Sequence, residues 1–439
     1  MTCSSTALAR TPASARAAPR SAGASSVRPG HKSAGAAFSF RPGRLSAGAA
    51  FYLQASITVS FLAGSSAPTP LYPLYQAEWG FSPITVTIVF GVYALAVLGA
   101  LLVAGRLSDH IGRRPVLIVA TLAQALAMLI FADANGVTAL LVARIIQGLS
   151  TGAAVAAVGA GLIDLDKARG TTANSIAPLS GTALGGIAAG LMVHFLPAPT
   201  HLVYLTFGAI FLLQAASVLF MAETTAPRPG ALASMKPQFA VPPAVRRPLL
   251  LAIPVLVAVW AFGGFYASLG PALVHRIFGL DPSLFGGLAL FVLAGSGGVS
   301  VLLLQSRDAR TISIFGTSSL VAGVAVTLAA LSLHSIAVFS LGLVVAGAGF
   351  GAGFQGAVRT VVPYAAPHER AGVLSVIFVV SYLALRVPAV AAGVLIAQGG
   401  HIVATASEFG AVVMLLAGLA LLGTLKAGWK PREPARQRA

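Results

Sequence analysis

The sequence predicts an all-α polytopic membrane protein, with twelve transmembrane helices arranged as two pseudo-symmetric six-helix bundles. Three observations carry that expectation. The 439 residues are 57% hydrophobic and only 9% charged, with a mean hydropathy of +0.88, whereas a soluble domain carries about 25% charged residues. Twelve apolar segments of about 18 residues or more follow one another along the chain, each long enough to be read as a membrane span. The second six segments also repeat features of the first in a fixed register.

The first six segments run at 49–67, 83–104, 115–132, 137–163, 172–195 and 201–222. The second six run at 249–274, 283–304, 311–333, 336–358, 371–397 and 403–425. Gly and Ala are abundant within them, as close helix approach in lipid requires. Segment length and the missing period-2 alternation exclude a transmembrane β-barrel. The organisation expected is a basic tail (1–46), a six-helix bundle (47–222), a linker (223–247), a second bundle (248–425) and a basic tail (426–439). Residues 1–46 contain no acid and too few apolar groups to bury a core, so they are expected to be disordered. Their composition fits a plain cytosolic tail, a start assigned too far upstream or an organellar transit peptide. The linker is marked by Pro227, Pro229, Pro237, Pro242 and Pro243.

The repeat rests on the 199-residue offset that separates Asp109 from Asp308. The same offset lays Leu74–Pro83 over Leu273–Pro282, Gly148 over Gly347 and Gly152 over Gly351. Ser82-Pro83 and Asp281-Pro282 both read as an N-cap followed by proline at the first helical position. A duplicated six-helix unit is the architecture expected when two halves rock about a shared pathway.

The net charge of +17 suggests nucleic acid only until its distribution is drawn. All but three of the 28 Lys and Arg residues fall in the tails and in alternate loops, the exceptions being Arg144, Arg276 and Arg386. That asymmetry places both termini in the cytoplasm, in a cell (inner) membrane, with attraction to anionic lipid as a secondary effect. No basic patch is interleaved with aromatics, so no nucleic-acid partner is expected. Cys3 is the single cysteine, which excludes an intramolecular disulfide and a cysteine metal cluster.

The most specific stretch is Gly105-Arg-Leu-Ser-Asp109-His-Ile-Gly112-Arg113-Arg114, a charged turn between the second and third segments. Gly105 and Gly112 permit a tight turn, and Asp109 supplies an anion that can meet a helix N-terminus. The turn resembles the Gly-x-x-x-Asp-x-x-Gly-Arg-Arg signature of the major facilitator superfamily, and the resemblance extends over the chain after residue 46. It implies a twelve-helix transporter similar to drug and metabolite antiporters. It also implies that Asp109 latches onto the start of the eleventh helix near Arg370-Ala371-Gly372 in one access state. Arg113 is implied to pair with an acid at the end of the fourth helix, with Asp164 the match and Asp166 the alternate. The second copy, Gln305-Ser-Arg307-Asp308-Ala-Arg310, keeps the charges without the glycines and is expected to orient the chain and serve as a weaker gate.

Arg144-Ile-Ile-Gln147-Gly148 resembles the family's arginine-containing fourth-helix motif. Arginine at bilayer depth costs at least about 2.5 kcal/mol on insertion scales, and the repeat places Leu343 at the equivalent position. Arg144 is therefore expected to touch substrate or gate a coupling ion, and its removal is expected to leave stability unharmed. Gly181, Gly185 and Gly186 resemble the fifth-helix run of exporters, although Thr182 stands where that run has proline; small residues that only pack helices fit equally well. None of the 11 acids lies at mid-membrane. Arg144, Gln147, Trp260, Tyr266, Gln355, Tyr382 and Arg386 remain as a candidate substrate and coupling cavity, one that disfavours cations and tolerates anionic or neutral solutes.

The expectation is thus a monomeric exporter-like antiporter of small amphipathic compounds, with protons as a candidate coupling partner and membrane lipid around it. The alternative is an importer of an organic acid or sugar. A membrane-embedded enzyme or a sensor is remote. No HExxH or Walker A sequence is present, and no catalytic residue, metal or cofactor is expected.

Overall fold

The computed structural model describes residues 45–426 apart from 238, 240, 367 and 368. Cys3 and the two expected tails lie outside the described residues, except at Leu45, Ser46 and Lys426. Twelve helices are long and apolar enough to cross a membrane. They are α1 (Ala47–Ser66), α2 (Pro83–Ala104), α3 (Arg113–Ala132), α4 (Val137–Leu165), α5 (Lys167–Phe195) and α6 (Pro199–Val218) in the first half. The second half holds α7 (Pro243–Phe278), α8 (Pro282–Leu303), α9 (Ala309–Leu333), α10 (Ile336–Val361), α11 (Arg370–Ala397) and α12 (Ile402–Lys426). No strand occurs among the described residues.

Local chemistry sets the helix starts. Proline opens α2, α6, α7 and α8, where its missing N–H is no loss. Ser46, Asp166, Asp281, Asp308 and Ser335 each accept from the backbone amide three residues on. Asp281 thus caps α8 as the repeat suggests, whereas Ser82 makes no side-chain cap on α2. α5 starts at Lys167 rather than 172, because the Asp166 cap lets its polar first turn go helical. α7 starts within the expected linker, at Pro243.

The largest departure from the sequence expectation follows α1. Pro68, Pro70 and Pro73 break that helix, and the chain continues through a 3₁₀ turn (Thr69–Leu71) into a short helix (Tyr72–Trp79) instead of a loop. This segment carries Tyr72 and Tyr75 back into the core of the first half.

Each half has its own hydrophobic core. A third, smaller cluster joins them: Tyr93, Ala94 and Val97 of α2 with Leu385 of α11, flanked by Trp260 and Tyr382. The halves meet along two seams, α2 on α11 and α5 on α8. Along the α2–α11 seam, side chains meet at Phe90 and Arg386 and at Thr87 and Gly393. Both contacts lie toward the bundle end remote from the 105–114 turn. On the α5–α8 seam, the Gly186 backbone carbonyl lies so close to Gly287 that no side chain fits there. Nearer the turn the same helices meet through a side chain instead, and a Cβ at Gly298 would make an ordinary contact with Leu179 at 3.6 Å.

Candidate functional site

Asp109 sits in a short helix (Ser108–Ile111) between α2 and α3, and Gly112 then takes φ +100°. A side chain at Gly112 would be strained by that φ and would also strike the Glu223 carboxylate. The turn therefore delivers Arg113 and Arg114 to the first turn of α3. Arg113 Nη1 donates to Asp109 Oδ1 at 2.5 Å and to Ser108 Oγ at 2.6 Å, while Nε donates to Asp164 Oδ2 at 3.2 Å. Asp166, the alternate acid, instead accepts the Arg169 amide and caps α5. Arg114 Nη2 donates to the Leu219 carbonyl at the end of α6, where helix polarity favours a cation.

Sequence reasoning missed Glu223. Its carboxylate accepts the amide N–H of Arg113 at 2.8 Å and that of Arg114 at 3.0 Å, so the first linker residue caps α3. Thr224 Oγ1 adds a 3.2 Å bond to Asp164. The linker is tied on further where the Arg228 amide donates to the His110 carbonyl at 2.8 Å. The turn thus fastens α3, α4, α6 and the linker into one brace. Asp109 pairs with Arg113 rather than with the start of α11, and its side chain is 48% exposed. In this state the latch implied by the resemblance is not engaged.

Asp308 is not an equivalent of that turn. It accepts the Thr311 amide at 3.0 Å and the Thr311 hydroxyl at 2.7 Å, and those bonds hold its carboxyl below the usual range. It caps α9. The loop before it is secured by Arg359, whose Nη1 donates to the Gln305 carbonyl at 2.8 Å.

Arg144 is fully buried. Its Nη1 donates to the Ser65 carbonyl at 2.9 Å and to Gln147 Oε1 at 2.7 Å, and Nη2 donates to the Tyr72 hydroxyl at 2.6 Å. The Tyr93 ring lies 5.2 Å away, within cation–π range. Pro68 explains the geometry: without its N–H the Gly64 carbonyl loses a helical donor, and Gln147 Nε2 replaces it at 3.0 Å. Arg144 and Gln147 together close the broken end of α1. These bonds argue against the expectation that removing Arg144 leaves stability unharmed.

Arg386 is 4% exposed and stacks on Phe90, with 3.6 Å from guanidinium carbon to ring centroid. The two buried arginines lie within electrostatic range of each other and of Tyr72, Tyr93 and Tyr382. Trp260 packs on Tyr382 at 5.6 Å between centroids and on Phe354 at 5.4 Å. Trp260, Gln355 and Tyr382 are partly exposed. Tyr266 stands apart: it packs among Phe262, Phe265 and Phe339 inside the core of the second half. Gly181 and Gly185 lie against the α1 backbone, and Gly186 against α8. Among the described residues no cluster of three or more His, Cys, Asp or Glu could hold a metal.

Twelve spanning helices, two packed halves and a braced turn at the α2–α3 junction match a known family. The model of the Major Facilitator Superfamily matches residues 55–389. The chain belongs to the Major Facilitator Superfamily. It is a multi-pass membrane transporter of small molecules and not an enzyme. Over 292 residues it is 27% identical to the multidrug resistance protein MdtL of Klebsiella pneumoniae subsp. pneumoniae, covering 64% of this chain and 72% of that one. A shorter match, 38% identical over 80 residues, is to MdtL of Klebsiella pneumoniae (strain 342) and spans 18% of this chain and 20% of that protein. Among solved structures, a bacterial homologue of the human lysosomal transporter Spinster superposes with TM-score 0.69 at 14% identity, covering 88% of this chain and 99% of that one. A mutant of the nucleoside transporter NupG gives TM-score 0.62 at 11% identity, covering 86% and 98%. These two likenesses establish the superfamily fold.

Proposed function

We propose that this superfamily member is an exporter-like antiporter that carries small amphipathic organic compounds by alternating access. It lies in the inner membrane with both termini cytoplasmic and works as a monomer, with protons as the candidate counter-ion. The observation that carries the reading is the asymmetry of the two seams. The halves pack backbone to backbone at Gly186 and Gly287 and meet at Thr87 and Gly393, all toward the far end. At the turn end, Asp109 is half-exposed and held within its own half by Arg113. With termini inside, this arrangement supports a carrier sealed on the outer side with its inner latch disengaged. The similarity to MdtL, a protein named for multidrug resistance, supports the direction of transport and the class of solute.

In this reading Arg113, Arg114, Asp164 and Glu223 hold the first half rigid, and Asp109 is the part that changes partner. Exchange of Arg113 for the N-terminus of α11 would close the inner end. The far end of the α5–α8 seam then opens, because its glycine-lined contact separates without breaking interlocked side chains. The test is flux in proteoliposomes under an imposed pH gradient, with neutral, anionic and cationic amphipaths. Efflux driven by a gradient acid outside is expected. Accumulation in the opposite direction would favour the importer of an organic acid or sugar.

A further inference from the structure

Arg386 is a buried charge on the α2–α11 seam whose hydrogen bonds the fold leaves open. Its Nε and Nη1 are buried without a hydrogen-bond partner. The Phe90 ring covers one face of the guanidinium, which offsets part of the charge but satisfies no N–H in the plane. Arg144, by contrast, has both Nη atoms engaged. None of the ion pairs among the described residues includes Arg386.

Other open polar groups lie where α7 packs on α11. Trp260 Nε1 and Ser381 Oγ are buried and unpartnered. Gly264, one turn beyond Trp260, packs on the Leu385 carbonyl, which sets the register between α7 and α11. Ser381, one turn before Leu385, is therefore level with Trp260. Tyr382, one turn before Arg386 and on its face of α11, packs against the Trp260 ring. Unpartnered N–H groups of Trp260 and Arg386, from two helices, thus flank the Trp260–Tyr382 aromatic pair.

We propose that Arg386 recognises an anionic group on the transported solute, and that the solute is an amphipathic carboxylate with a flat aromatic body. The planar fork of arginine matches the two oxygens of a carboxylate. The Trp260 indole N–H is a further donor, and the aromatic body lies along Trp260 and Tyr382. Arg144 contributes positive potential from the first half without touching the solute. The assignment rests on the export reading for movement of the anion, but not for its binding.

The experiment uses the purified full-length protein with 2-naphthoate and its neutral counterpart 2-naphthamide. Binding is read from tryptophan fluorescence, and flux from reconstituted vesicles. The wild type is expected to prefer naphthoate, and Arg386→Gln to weaken naphthoate binding about tenfold or more while naphthamide changes little. Arg386→Lys keeps the charge without the fork and is expected to fall between, so it supplies the ratio of the two affinities if Arg386→Gln fails to fold. Absence of naphthoate binding to the wild type, or an unchanged ratio in the variants, overturns the proposal. Arg386-dependent binding without flux in the wild type would uphold the anion site and overturn the export reading.

Discussion

Glu223 Oε1 accepts the backbone N–H of Arg113 at 2.8 Å, joining residues 110 positions apart. The first residue of the linker thereby caps the helix that follows the gate turn, and its charge meets the positive end of α3. Glu223→Ala is expected to cost about 1 kcal/mol, as loss of an N-cap does, and to slow flux by loosening the turn. Thermal unfolding in detergent measures the first effect. An unchanged melting temperature would show that the cap contributes nothing.

Asp109→Asn separates gating from stability. The Asp109–Arg113 pair is half exposed on the acid side, and such pairs contribute about 0–1 kcal/mol. The variant is expected to insert and melt near normally yet transport slowly, because the closed state loses a charge–dipole contact. Full flux in the purified variant would refute the latch.

Arg144→Ala should abolish transport and also destabilise the protein. Removing the guanidinium strands the Ser65 carbonyl, Gln147 and the Tyr72 hydroxyl, at about 1–3 kcal/mol for each buried group left unpaired. Arg144→Lys retains the charge but not the three-point geometry, so partial activity is expected. Melting and flux measured together decide the matter: normal transport by Arg144→Ala would make the Arg144 closure of α1 dispensable.

Gly287→Val places a branched side chain against the Gly186 carbonyl, where there is no room for one. The far end of the α5–α8 seam is then expected to stay apart. Thiol labelling of a cysteine at Ser283 should rise several-fold relative to the same cysteine beside Gly287. No change in labelling would mean that the seam does not close the far end.

The membrane helices were legible in the sequence because hydropathy and length are local properties, and the turn was legible because its glycines and charges are contiguous. The partners of Arg144 were not. They depend on a carbonyl pattern set by Pro68 and on Tyr72, far from Arg144 in the chain. Glu223 looks like plain linker in the sequence, since its role exists only once the end of α6 lies beside the start of α3. Trp260 and Tyr266 look alike in sequence, but six residues at about 100° each turn them to different faces. Trp260 faces the seam with α11, and Tyr266 faces the core of the second half.

The most direct test of alternating closure is a reversible cross-link at the far end of the α2–α11 seam. Thr87 and Gly393 adjoin there, with 2.8 Å from a Cβ at Gly393 to Thr87 Oγ1. In a background with Cys3 replaced by Ser, Thr87→Cys with Gly393→Cys should form a disulfide under mild oxidation. The account predicts that the oxidised protein still binds solute from the turn end but carries none across, and that reduction restores flux. Undiminished flux with the disulfide intact would contradict it.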